Sequence, residues 1–245
     1  MYYNEFMKIQ RFLLTQIKQA ITPGKVLVLY GPRQVGKTTL VQNLLPLLPL
    51  RSKYINADEL MYREALASQS RQRLGEVLGD AELLVIDEAQ RVPEIGLNLK
   101  ILVDNFPGAR IIATGSASFE LASKISEPLT GRKLTYTLYP VSYAEIRQTL
   151  GVLETRSQLE RWLVWGGYPA VVTADNPAYR SQILDELVGS YLYRDLLNLE
   201  GLRKSDKLVD LLRLLAYQIG QEVSSTELAS NLAIHHSTVS NYLDM

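Results

Sequence analysis

Two hydrophobic rhythms alternate along this chain. From Phe6 to Ala20 the apolar positions Phe6, Ile9, Leu13 and Ile17 recur at helical spacing. Unbroken apolar runs then begin, the first being Val26-Leu27-Val28-Leu29-Tyr30 after the turn Ile21–Lys25. Runs of this kind predict buried strands at Val26–Tyr30, Arg51–Asn56, Leu83–Ile86, Arg110–Thr114 and Gly131–Leu138. Helical spacing returns between them. Leu40, Val41, Leu44 and Leu45 make one amphipathic segment, ended by Pro46 and Pro49, and Glu94 to Phe106 makes another. Strands alternating with helices predict an α/β fold, a parallel sheet covered on both faces. Beyond Ser142 the strand signal stops and helices dominate. The expected division is an α/β core over 1–150, a helical lid over 151–203 and a small helical module over 204–245.

Composition narrows the picture by exclusion. Lysine plus arginine balance aspartate plus glutamate at 26 each, so no global field draws the chain to nucleic acid or membrane. With no cysteine there are no disulfides and no thiolate metal site, which fits a cytoplasmic protein. No apolar run approaches the roughly 20 residues of a membrane helix, and the N-terminus lacks a signal-peptide pattern, so no membrane partner is expected.

The first strand runs into Gly31-Pro32-Arg33-Gln34-Val35-Gly36-Lys37-Thr38-Thr39 at the head of a helix. This is the strand–GxxxxGK[ST]–helix pattern of a phosphate-binding loop. Its glycines let successive backbone N–H groups converge on a phosphate, to which the helix N-terminus adds partial positive charge. All nine residues, Gly31 to Thr39, are candidate nucleotide-binding positions. Lys37 can reach the β/γ oxygens, and Thr38 can take a place in a Mg²⁺ shell. The expected ligands are ATP and Mg²⁺.

Further positions complete a candidate catalytic and metal-binding set. The third strand ends in Asp87-Glu88, and strands of a parallel sheet open their carboxyl ends on one crevice. Asp87 is a candidate Mg²⁺ ligand through water, and Glu88 is placed to polarise an attacking water. The plainer alternative is that the acidic pair caps the next helix. Ser116, with Thr114 as second choice, closes the fourth strand and suits a hydroxyl that senses the γ-phosphate; helix capping is its alternative. A strand lying between the phosphate-loop and acidic strands would mark the class whose water is activated by a glutamate. Arg132, and secondarily Arg194, are candidate guanidinium groups for charge developing on the phosphoryl group, in cis or from a neighbouring subunit. For both, the alternative is a solvated or paired surface arginine.

The segments GPRQVGKTT, LLVIDEAQ, IIATGSAS, GRKLTYTLYPVSYAE and WGGYPAVV stand in the order seen in a group of bacterial and archaeal P-loop ATPases of the AAA superfamily, which the chain resembles over nearly its whole length. The resemblance implies Mg²⁺-dependent ATP hydrolysis with the roles given above. It also implies a further nuclease-like domain, before which this chain stops at Met245, so the chain is expected to be truncated relative to the group.

Ser224 to Met245 fits a helix-turn-helix, the incomplete winged-helix module of the 204–245 region. Ala229, Ala233 and Val239 fall at its small, turn and buried β-branched positions, Leu228 and Leu232 point inward, and Leu208 to Leu215 supplies a preceding helix. The second of the paired helices would expose Ser237, Thr238, Ser240 and Asn241, with no lysine or arginine among them, a poor footprint for DNA. His235 and His236 read as surface or capping residues rather than metal ligands. Two readings result. One is an ATPase whose cycle moves the helical module; the other is a nucleotide-gated DNA-binding regulator. A small-molecule kinase ranks below both. Homo-oligomerisation, and weak DNA or protein binding through the C-terminal helices, are candidate associations.

Overall fold

The computed structural model describes residues 9–116, 128–189 and 205–244. Five strands, β1 Val26–Gly31, β2 Ser52–Asn56, β3 Leu83–Asp87, β4 Arg110–Ser116 and β5 Lys133–Thr137, form one parallel sheet in the order β2-β3-β4-β1-β5. The α/β expectation therefore stands, and β4 does lie between the strand leading into the phosphate loop and the acidic strand. Register sets Gly31 level with Ser116, and Asn56 level with Asp87.

Both faces of the sheet are buried, which is why β1 and β3 read as unbroken apolar runs. Side chains alternate between the faces. Val26, Val28, Leu84, Ile86, Ile111 and Ala113 pack with α3 (Leu60–Leu66), α4 (Arg71–Leu78) and α5 (Ile95–Asn105). Leu27, Leu29, Leu83, Val85 and Ile112 pack on the other face with α1 (Phe12–Ala20) and α2 (Lys37–Leu44). Helix α1 begins later than its apolar spacing suggests. Arg11 is extended, at φ −83° and ψ 127°, because its guanidinium and the following N–H are engaged by Glu145, far away in sequence. Phe6 lies outside the described residues.

The chain divides into two compact units, Met1–Ile183 and Leu184–Met245. Gly151 is only a joint between α6 (Tyr143–Leu150) and α7 (Val152–Ser157). One apolar cluster spans that joint, uniting Val141 and Ile146 with Trp162 of α8 (Leu159–Trp165) and Val172 of α9 (Pro169–Thr173). A fifth helix of the series, α10, covers Pro177–Leu187. Thus the helices placed in a separate lid begin inside the first unit.

In the second unit α11 (Ser205–Tyr217), α12 (Ser225–Leu232) and α13 (His236–Asp244) enclose Leu208, Leu211, Leu228, Ala229, Leu232 and Val239. Ala233 takes the left-handed conformation, φ 52°, that ends α12 and allows the turn into α13. Ala233 thus stands at the turn, and Leu228, Leu232 and Val239 stand in the core. No strand occurs among the described residues of this unit, so a wing is not among them. Of the polar residues expected on α13, Ser237 is exposed and shares a 2.8 Å hydrogen bond with His235, while the Ser240 hydroxyl donates to the His236 carbonyl. No described helix is long and apolar enough to cross a membrane.

Leu228 is fully buried in this small core. Leu228→Ala is expected to destabilise the unit by about 2–5 kcal/mol, through lost transfer energy and a residual cavity. Denaturant unfolding followed by helical circular dichroism checks this; an unchanged midpoint would contradict the packing.

Candidate functional site

The loop after β1 is shaped by two glycines with different tasks. A Cβ on Gly31 would stand 2.4 Å from the Leu138 carbonyl oxygen, so only glycine lets the segment following β5 lie this close. Gly36 has φ +97°, a conformation that side chains disfavour, and it delivers the chain into α2. Gln34 is also left-handed, at φ 58°, and it is exposed, as is Thr39. The Val35 side chain is fully buried in the core on the α2 face, so this residue can serve a ligand only through its backbone. Lys37 opens α2 and is only 6% exposed; its Nζ donates to the carbonyls of Gly31 at 2.8 Å and Pro32 at 2.9 Å. The ammonium therefore sits folded over the loop, and the N-terminus of α2 points into it.

Asp87, buried at the end of β3, gathers the polar groups around it. One carboxylate oxygen accepts from Thr38 Oγ1 at 2.7 Å and from the Tyr54 hydroxyl. The other accepts from the Thr114 hydroxyl and from the Glu88 backbone N–H at 3.1 Å. Burial pushes the Asp87 pKa upward, but the bonds from Thr114, Tyr54, Thr38 and the Glu88 amide outweigh it and hold the pKa below the ordinary carboxylate value. Burial, reinforced by the Asp87 carboxylate, raises the Tyr54 phenol well above its ordinary value, so Tyr54 remains a proton donor. An ionised carboxylate beside a hydroxyl is a hard oxygen pair whose chemistry fits Mg²⁺.

Glu88 follows in the left-handed region, φ 54° and ψ 37°, uncommon for a non-glycine residue and a recurrent feature of active sites. Its carboxylate accepts from the Gln90 side-chain amide. Ser116, 5% exposed, ends β4 level with Gly31. Thr114 is two residues short of the strand end, and its hydroxyl donates to Asp87.

Arg132 stands just before β5, at the amino ends of the strands, where its carbonyl accepts from the N–H of Val26, the first residue of β1. The phosphate loop leaves the opposite ends. The Arg132 guanidinium instead pairs with Asp104 at 2.9 Å, and the chain does not bring it to its own loop. Sequence proximity to a glycine carried no information about which end of the strand the arginine occupies. Arg194 lies outside the described residues. Three residues of the site's surroundings escaped the sequence reading: Tyr54, Arg11 and Glu145. Tyr54 was recoverable from pairing of β2 with β3, whereas nothing local marks Arg11 or Glu145.

A family described as AAA domain matches residues 23–147, just over half of the chain, and a domain of unknown function, DUF8612, matches 156–245. An uncharacterized protein of Mycobacterium tuberculosis is 31% identical over 244 residues, covering 96% of this chain and 50% of the relative. Another from Methanocaldococcus jannaschii is 26% identical over 266 residues, covering 98% and 58%. The chain thus spans little more than half the length of these relatives. Among solved structures it is similar to AMPPCP-bound DnaA from Aquifex aeolicus, with TM-score 0.42 and 16% identity over 94% of this chain and 83% of that one. It is also similar to a signal transduction ATPase with numerous domains from Pyrococcus horikoshii, with TM-score 0.47 and 13% identity over 98% and 40%.

Because the folded pKa of Asp87 lies below its unfolded value, its contribution to stability is present above the ordinary carboxylate range and is lost as pH falls through the folded pKa. The stability difference between wild type and Asp87→Asn is therefore expected to hold steady from about pH 7 to about pH 5 and to shrink below about pH 4. Urea midpoints of both proteins across that range measure it, and a difference independent of pH down to about pH 2 would contradict the assigned ionisation.

Proposed function

This chain belongs to the AAA domain family, with a P-loop ATPase fold of the AAA type, and we propose that it binds ATP with Mg²⁺ and hydrolyses it to drive movement of its C-terminal helical unit. The observation that carries the proposal is the 2.7 Å hydrogen bond from Thr38 to Asp87, which joins the phosphate-loop helix to the acidic strand. Thr38 and Asp87 would hold the Mg²⁺, directly or through water, and the ion when bound supplies positive charge against the phosphates. The backbone N–H groups from Pro32's neighbours to Thr39, with the N-terminus of α2, would receive the phosphate oxygens. Lys37 would exchange the Gly31 and Pro32 carbonyls for the β/γ oxygens, a better match for an ammonium.

Glu88 would take the proton from the attacking water as its oxygen bonds to the γ-phosphorus, with ADP leaving. The position of β4 between β1 and β3 supports this role, since it separates the loop from Glu88 by one strand and leaves room for a γ-phosphate and a water. Ser116, level with Gly31, would meet the γ-phosphate. The division into two compact units supports a switch. The last helix pair offers few cations, so the coupled partner is proposed to be this chain's own helical unit rather than duplex DNA.

Steady-state phosphate release, with Mg²⁺ or excess chelator and with or without duplex DNA, tests the proposal. Lys37→Ala is expected to abolish turnover, because it removes the ammonium held over the loop; wild-type turnover in that variant would end the phosphate-loop reading. Glu88→Gln is expected to retain Mg·ATP binding and to hydrolyse about 10²–10⁴-fold more slowly, since the amide keeps the shape without the basicity. Normal hydrolysis by this variant would leave Glu88 a structural residue.

A further inference from the structure

We infer that Arg11 is a positioning residue for the phosphate loop: its guanidinium grips the Val35 carbonyl and thereby aims the Gly36 N–H at the phosphate position. The inference rests on the nucleotide-binding reading above and assigns a role to a residue outside every nucleotide-binding motif in the chain.

Arg11 is 11% exposed and uses three separate edges of its guanidinium. Nε pairs with Glu145 Oε1 at 3.2 Å, one terminal nitrogen donates to the Val35 carbonyl at 3.1 Å, and the other donates to the Tyr139 carbonyl. Glu145 is itself fixed. Its Oε1 accepts the Phe12 N–H at 2.9 Å and its Oε2 accepts the Ser142 N–H at 2.9 Å, in the capping box of α6. Burial pushes the Glu145 pKa up, while the Ser142 and Phe12 amides and the Arg11 charge pull it below the ordinary value, so the partner of Arg11 is a carboxylate.

The Val35–Gly36 peptide is trans, as are all the others described. In a planar trans peptide the C=O and the N–H point in opposite directions. Tying the Val35 oxygen to Arg11 on one side therefore turns the Gly36 N–H to the other. The need for a tether is specific to this peptide. Gly36 is left-handed at φ +97°, a residue type that rotates at little steric cost, so the peptide before it is the easiest in the loop to flip. The start of the loop is already held, by the Leu138 N–H on the Tyr30 carbonyl at 2.7 Å and by Lys37 on the carbonyls of Gly31 and Pro32. Arg11 holds its end. Lysine cannot substitute, because one ammonium on a flexible stem does not reproduce a planar fork reaching three acceptors.

The test compares wild type, Arg11→Lys and Glu145→Gln, each first checked for folding by circular dichroism. Mg·ADP affinity is measured by calorimetry, and the Gly36 amide resonance is measured by NMR without nucleotide. The expected result is that folded Arg11→Lys shifts the Gly36 resonance and binds Mg·ADP about tenfold or more weakly, while Glu145→Gln melts lower but binds within about threefold of wild type. An unshifted Gly36 resonance, or affinity within about threefold in folded Arg11→Lys, would overturn the inference. Failure of Arg11→Lys to fold would overturn it as well, making Arg11 a staple of the fold. If wild type itself binds no Mg·ADP, it is the nucleotide reading that fails, and the ligand-free Gly36 resonance still reports whether Arg11 orients the loop.

Discussion

The Thr38–Asp87 hydrogen bond depends on one spatial constraint, the insertion of β4 between β1 and β3. Neighbouring strands lie about 4.8 Å apart, so the two site-bearing strands end about 10 Å from each other. The loop from Pro32 to Gly36 must bend back far enough for the first turn of α2 to bridge that gap. Gly31 tucked beneath Leu138 and Gly36 in a left-handed turn make the bend sterically open.

Burial of polar groups follows from this arrangement. Lys37, Asp87, Thr114 and Ser116 are all buried near the carboxyl ends of the central strands, where solitary charges would be costly. The Asp87 carboxylate is tolerable because three hydroxyls and an amide donate to it, and Lys37 because two carbonyls accept from it. The site is thus satisfied as it stands.

Two arginines show how far local reasoning reaches. Arg132 stands beside a glycine and a strand, in a motif-like setting, yet parallel pairing puts it at the amino ends of the strands and onto Asp104. Arg11 sits in an unremarkable helical pattern, yet it meets the Val35 carbonyl of the loop and Glu145, 134 positions away in sequence. Charge and neighbours in sequence were equally uninformative for both. What separates them is the end of the sheet at which each emerges.

The chain's own order of residues determined the strands, most of the helices, the phosphate loop, the acidic strand end and the inward positions of the C-terminal helices. Those features are written in local periodicity and in motifs whose function requires consecutive residues. Leu228, Leu232 and Val239 became core because helical spacing alone puts them on one face. Tertiary structure decided the rest: the placing of β4 between β1 and β3, the convergence of Tyr54, Thr38 and Thr114 on Asp87, and the pairing of Arg132 with Asp104 and of Arg11 with Glu145. It also decided that the cluster of Val141, Ile146, Trp162 and Val172 closes across the joint at Gly151. These outcomes depend on pairing and packing between residues tens of positions apart, and hydrophobic periodicity carries no record of which distant surface each element will meet.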